Sequence, residues 1–151
     1  MTTINHVLLD DISEALTSGG LNYCVFLKSY TFTFSDPIRS GAIVSTVLGE
    51  GAISINFVEI GIESVIETVK SSLLYAGDDS AGPSKAVLES EDLTGIIEEL
   101  LSDLRHVMSW ATKIEAFTLK EGHPFYPVFW DFAFIFRTAS KATIFIGASS
   151  D

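Results

Sequence analysis

Apolar and polar positions change period several times along this chain, and each change marks an element. Ile4, Leu8, Ile12 and Leu16 recur at fours, with Asp10, Asp11 and Glu14 elsewhere on the wheel and Gly19 and Gly20 behind them. That spacing predicts an amphipathic helix over 4–17 closed by glycine. Over 22–34 the period becomes two: Phe26, Tyr30, Phe32 and Phe34 alternate with Leu27, Ser29, Thr31 and Thr33, which predicts a strand ended by Asp36 and Pro37. Residues 42–48 and 52–60 are rich in β-branched side chains and flank Gly49, Glu50 and Gly51, so they read as the two arms of a hairpin.

Helical spacing returns with Ile62, Val65, Ile66, Val69 and Leu73, predicting a second helix over 62–75. Residues 77–84, GDDSAGPS, are dense in turn formers and are expected to be a mobile loop. A third helix follows from the stripe Leu93, Ile96, Ile97, Leu100, Leu101, Leu104, Met108 and Ala111, with Ser90 placed to cap it and Glu91 and Asp92 at the positive end of its dipole. Residues 113–119 alternate again as a strand. Gly122, His123, Pro124 and Pro127 then lead into the most apolar stretch, with seven aromatic side chains between Phe125 and Phe136. A run of that kind is a central strand buried on both faces, turned by residues 137–141 into a partner: a C-terminal aromatic β-hairpin.

These elements add up to an α+β fold, three helices packed on a mostly antiparallel sheet of about six strands, and 151 residues fit a single domain. Cys24, the lone cysteine, has no partner for an internal disulfide and lies in an apolar run, as a small buried hydrophobe would. The N-terminal stretch has no basic segment and is interrupted by acids, which argues against a signal peptide. No uncharged apolar run approaches the roughly 18 to 20 residues that cross a bilayer. The expected compartment is the cytoplasm.

Charge narrows the partners. Twenty acids stand against nine Lys and Arg, for a net charge of -11, and residues 59–103 hold eleven of the acids with two of the bases. Such a surface repels phosphate backbones, so neither nucleic acid nor a membrane is expected, whereas a basic protein would be steered toward it. The contact residues expected for such a partner are Glu63, Glu67, Asp78, Asp79, Glu91, Asp92 and Glu98. The competing account is that these acids only keep a hydrophobic protein soluble.

Candidate chemistry is sparse. His6, His106 and His123 are far apart, and no HxxxH, HExxH or CxxC spacing is present, so no metal is expected. The glycines form neither GxGxxG nor GxxxxGK, the acid pairs lie in no DxDxDG loop, and GxSxG is missing. No cofactor and no catalytic residue is therefore assigned, and the chain is read as a non-enzyme. One alternative is a pocket for a small ligand or an enzymatic reaction formed by His123, Tyr126, Trp130 and Asp131, in which the Asp would orient the imidazole. Asp131 stands inside the aromatic run, where an unpaired buried carboxylate costs on the order of several kcal/mol and needs compensation. Trp110 and Trp130 are expected in the core. The leading functional expectation is a non-catalytic acidic binding protein, most concretely an immunity or inhibitor protein neutralising a basic toxin such as a nuclease. A second alternative is a structural homo-oligomer joined through its aromatic hairpin.

Overall fold

A computed structural model describes residues 3–151. Met1 and Thr2, part of the N-terminal stretch read for a signal peptide, lie outside the described residues. Five strands, β1 (Cys24–Thr33), β2 (Ile53–Glu59), β3 (Lys113–Glu121), β4 (Trp130–Arg137) and β5 (Lys141–Ser150), form one sheet in the order β1-β5-β4-β3-β2. Every neighbouring pair is antiparallel. Five helices join them: α1 (His6–Thr17), α2 (Ser40–Leu48), α3 (Ile62–Leu73), α4 (Lys85–Leu88) and α5 (Glu91–Ser109). The fold is α+β as expected, and β4 and β5 form the C-terminal aromatic hairpin, in register from Trp130 opposite Ser149 to Arg137 opposite Ala142.

Two counts are corrected: the described residues hold five strands and five helices, not six and three. The missing strand is residues 42–48, which form α2 instead. Their β-branched content favours a strand, yet Ile43, Val44, Val47 and Leu48 also fall on one side of a helix. Ile43 and Val44 are fully buried against the sheet, so tertiary burial overrides local propensity. The added helix, α4, is a single turn that Ser84 caps by accepting from the Val87 amide. Residues 77–84, the loop expected to be mobile, carry a set of hydrogen bonds. Asp78 Oδ1 accepts from the amides of Ser80 and Ala81, Asn22 Nδ2 donates to the Ser80 carbonyl, and Leu21 and Gly82 exchange backbone bonds of 2.9 Å.

Alternation along the central strands sorts the core into two faces. Phe132, Phe134 and Phe136 of β4 and Phe145 of β5 point to one side, where they pack with Val25 and Leu27 against α1, α3 and α5. Ala133 and Ile135 of β4 and Ala142, Ile144 and Ile146 of β5 point to the other, against Ile43 and Val44 of α2 and Phe117 of β3. β1 is therefore buried on the side of Val25, Leu27 and Ser29, while its aromatic row of Phe26, Tyr30 and Phe32 lies on the α2 side, partly exposed. In β2 a bulge around Asn56, at φ 57°, shifts the register between Ile55 and Val58 and turns Phe57 onto Phe117, with ring centroids 5.0 Å apart. Gly147 is required by packing: a Cβ there would lie 2.3 Å from Cζ of Phe132, so the aromatic ring occupies the side-chain space of the facing strand.

Candidate functional site

The two sides of the sheet differ in charge as well as in cover. Helices α1, α3, α4 and α5 with their connections carry thirteen acids and three bases, while the strands and α2 with theirs carry seven and six. Almost the whole net charge thus belongs to one layer. α5 is its middle member, packed against α1 on one flank and α3 on the other. Asp10, Asp11 and Glu14 of α1 join it although they are about fifty residues or more distant in sequence from α3, and all three are exposed. The sequence-derived contact set omits them because chain position does not reveal which helices share a layer. Helical periodicity does place them opposite the buried stripe of α1, and that was the available signal.

The seven acids of that set are all exposed, but five already have structural duties. α3 and α5 run antiparallel, and Arg105 forks onto both carboxylate oxygens of Glu63 while Lys70 Nζ lies 3.8 Å from Glu98. The Arg105 hydrogen bond holds the Glu63 carboxyl below the usual range. Asp78 is held low by its bonds to the Ser80 hydroxyl and the Ser80 and Ala81 amides. Glu91 and Asp92 occupy the first turn of α5, where they complement the dipole behind the Ser90 cap. Glu67 and Asp79 are exposed outside these interactions.

The four residues read as a second pocket divide. Strand alternation sends Trp130 to the helical side, stacked on Phe132 at 5.8 Å, where its Nε1 donates to the buried Tyr23 hydroxyl at 2.8 Å. Burial raises the Tyr23 pKa. Tyr126 projects into solvent at 81% exposure. Asp131 and His123 lie together on the α2 side, near enough for the Asp131 charge to act on the imidazole. Asp131 is exposed, opposite Ala148, so water supplies the compensation that a buried carboxylate would have needed from the protein. His123 Nδ1 accepts from the Phe125 amide at 3.0 Å, which places the proton of the neutral ring on Nε2. That Nε2 is buried without a hydrogen-bond partner among the described residues. Burial lowers the His123 pKa, and the Asp131 charge opposes the shift. Trp110, expected in the core, is 66% exposed at the end of α5, and Cys24 is half-buried.

A polar cluster that the sequence reading did not single out lies at the start of α2. Glu115 of β3 is 6% exposed; its Oε1 accepts from Ser40 Oγ at 2.5 Å, and its Oε2 lies 3.9 Å from Lys113 Nζ. Arg137, at the end of β4, donates from Nη1 to Ser40 Oγ at 3.0 Å and from Nη2 to the Ile38 carbonyl at 2.5 Å. The signal was present in the alternation: Glu115 is in phase with Phe117 and Leu119, which puts a carboxylate on an apolar strand face. Among the described residues no group of three or more His, Cys, Asp or Glu side chains is arranged to hold a metal, and no helix is long and apolar enough to cross a membrane. No protein-family model matches the chain, and none of the curated proteins is similar to it.

Proposed function

We propose that this chain is a non-catalytic binding protein whose acidic helical layer engages a basic macromolecular partner. In its most concrete form it is an immunity or inhibitor protein that neutralises a basic toxin, such as a nuclease, by covering the basic surface with which that toxin binds its substrate. The observation that carries the reading is the segregation of charge: thirteen acids and three bases on the helical layer, seven and six on the rest. A solubilising surface gains nothing from such asymmetry, whereas a docking face gains both steering and orientation from it. Because Glu63, Glu98 and Asp78 are engaged internally, the contacts fall first to Glu67, Asp79 and the α1 acids, and then to Glu91 and Asp92, which complement the α5 dipole but stay exposed.

The test is capture of binding proteins from the native lysate, eluted by rising salt, with the wild-type chain beside a charge-reversed variant carrying Glu67→Lys, Asp79→Lys and Glu14→Lys. A stoichiometric basic protein released as salt rises and lost with the variant is the expected result. Undiminished capture by the variant would rule out the acidic layer as the docking face. A second reading, a small-ligand site at His123 and Asp131, is favoured by one feature, the buried and unpartnered His123 Nε2. It requires His123→Ala to abolish binding of a co-purifying small molecule while the thermal midpoint stays within a few degrees of wild type.

A further inference from the structure

Three of the chain's nine bases, Arg39, Lys113 and Arg137, converge on one cavity of about 720 Å³ between the start of α2 and strands β2, β3 and β4. Its volume falls in the range of small-molecule sites, about 300 to 1,000 Å³. Phe57 and Ile38 contribute apolar wall, and Glu115 with Ser40 forms a buried polar floor. A second cavity of about 300 Å³ is also lined by Ile38, Lys113 and Arg137.

The charges here do not balance. Glu115 is the one carboxylate among the lining residues, and it is already engaged by Ser40 and Lys113. Glu59, opposite it on β2, is exposed and is not among the lining residues. Arg39 occupies the cap position of α2 and gives the helix no side-chain cap bond. The first intrahelical bond of α2 runs from the Ile43 amide to the Arg39 carbonyl, so the amides of Ser40, Gly41 and Ala42 precede it. A cation at that position is the reverse of what the helix dipole favours. In a chain of net charge -11, a surplus of positive charge around an open cavity favours an anion from outside.

We propose that this cavity is a binding site for a small organic anion. Its oxyanion group, a carboxylate or a phosphate, is held by Arg39, Lys113 and the first amides of α2, and its apolar body lies against Phe57 and Ile38. Arg137 and Glu115 position the wall: the Arg137 guanidinium is fixed by Ser40, the Ile38 carbonyl and the Phe34 ring 5.5 Å away, and Lys113 is drawn toward the cavity by Glu115.

The site is tested with phenyl phosphate and phenylacetate as the two oxyanion probes, titrated into the ¹⁵N-labelled protein at fixed ionic strength. The expected result is saturable movement of the Ser40, Gly41 and Ala42 amide resonances, and the tighter probe tells a phosphate ligand from a carboxylate one. Arg39→Gln and Lys113→Gln alter exposed side chains and should each weaken binding about tenfold, as loss of one charged hydrogen bond does. Glu67→Lys, on the helical layer, should leave it unchanged. Linear shifts with no saturation up to about 10 mM of both probes, or full affinity in the Arg39 and Lys113 variants, would overturn the proposal.

Discussion

The two faces of this sheet are covered in different ways. On one, α1, α3 and α5 pack twenty-three buried residues into a continuous apolar cluster and turn a strongly acidic surface outward. On the other, eight buried residues gather under the nine-residue α2, and the gap between that helix and β3 is closed by Ser40, Glu115 and Arg137 rather than by hydrocarbon. A thick apolar layer can devote its exterior to charge because nothing polar is needed inside it. A thin one leaves room, and the room here is lined by cations. The difference assigns stability to one side and candidate recognition to both, by opposite charge.

The sharpest way to break that comparison is to cut each core once. Phe145 is fully buried on the helical side and Ile43 on the α2 side. Phe145→Ala should cost about 3 to 5 kcal/mol in urea unfolding, and Ile43→Ala toward the low end of about 2 to 5, because a cost of this kind falls as the site collapses more readily. Equal losses would mean that α2 seals its face as firmly as three helices seal theirs.

Next in size is the polar floor. Glu115→Ala removes a charged acceptor from Ser40 and the partner of Lys113, and should cost about 1.5 to 3 kcal/mol. Glu115→Gln, which can still accept from Ser40, should cost less. If Glu115→Ala were as stable as wild type, the carboxylate would be dispensable to the fold. Gly147→Ala probes the junction of the hairpin and should cost about 1 to 3 kcal/mol through the clash with the Phe132 ring. The loss should be partly relieved in the double variant with Phe132→Leu, a coupling that a double-mutant cycle would reveal.

Much of this architecture is legible in the sequence, and what is not has identifiable causes. The stripes of α1, α3 and α5 and the aromatic β4 are long and strongly periodic, so their types follow from spacing alone. Residues 42–48 satisfy a strand and a helix equally well, and only the unoccupied face of a sheet formed by distant segments decides between them. The bulge at Asn56 breaks alternation in β2, so that Phe57 packs onto Phe117 while Ile53 and Ile55 are exposed at 42% and 36%. At the candidate sites the sequence supplies residue types but not layering. It gathers acids along the chain and misses that α1 adds three more, and it joins Trp130 to Asp131 although adjacent strand residues face opposite ways.

The smallest effect concerns His123 and Asp131, the part of the sequence-derived pocket that remains together on the α2 side. Burial lowers the His123 pKa below its ordinary 6.5, and the Asp131 charge pulls it upward. The folded protein therefore binds fewer protons at this ring than the unfolded chain does between the lowered and the ordinary value. Stability from the neutral ring is fully present above the ordinary pKa and is lost as pH falls through it toward the folded value, below which the loss is complete. Asp131→Asn removes the upward pull, so in an NMR titration the imidazole should shift further down, and the pH window of lost stability should widen on its acid side. An unmoved His123 in that variant would show that the two groups are neighbours without coupling. A ring whose pKa rose instead would mean that its Nε2–H finds an acceptor in solution, and burial would no longer be the dominant influence on it.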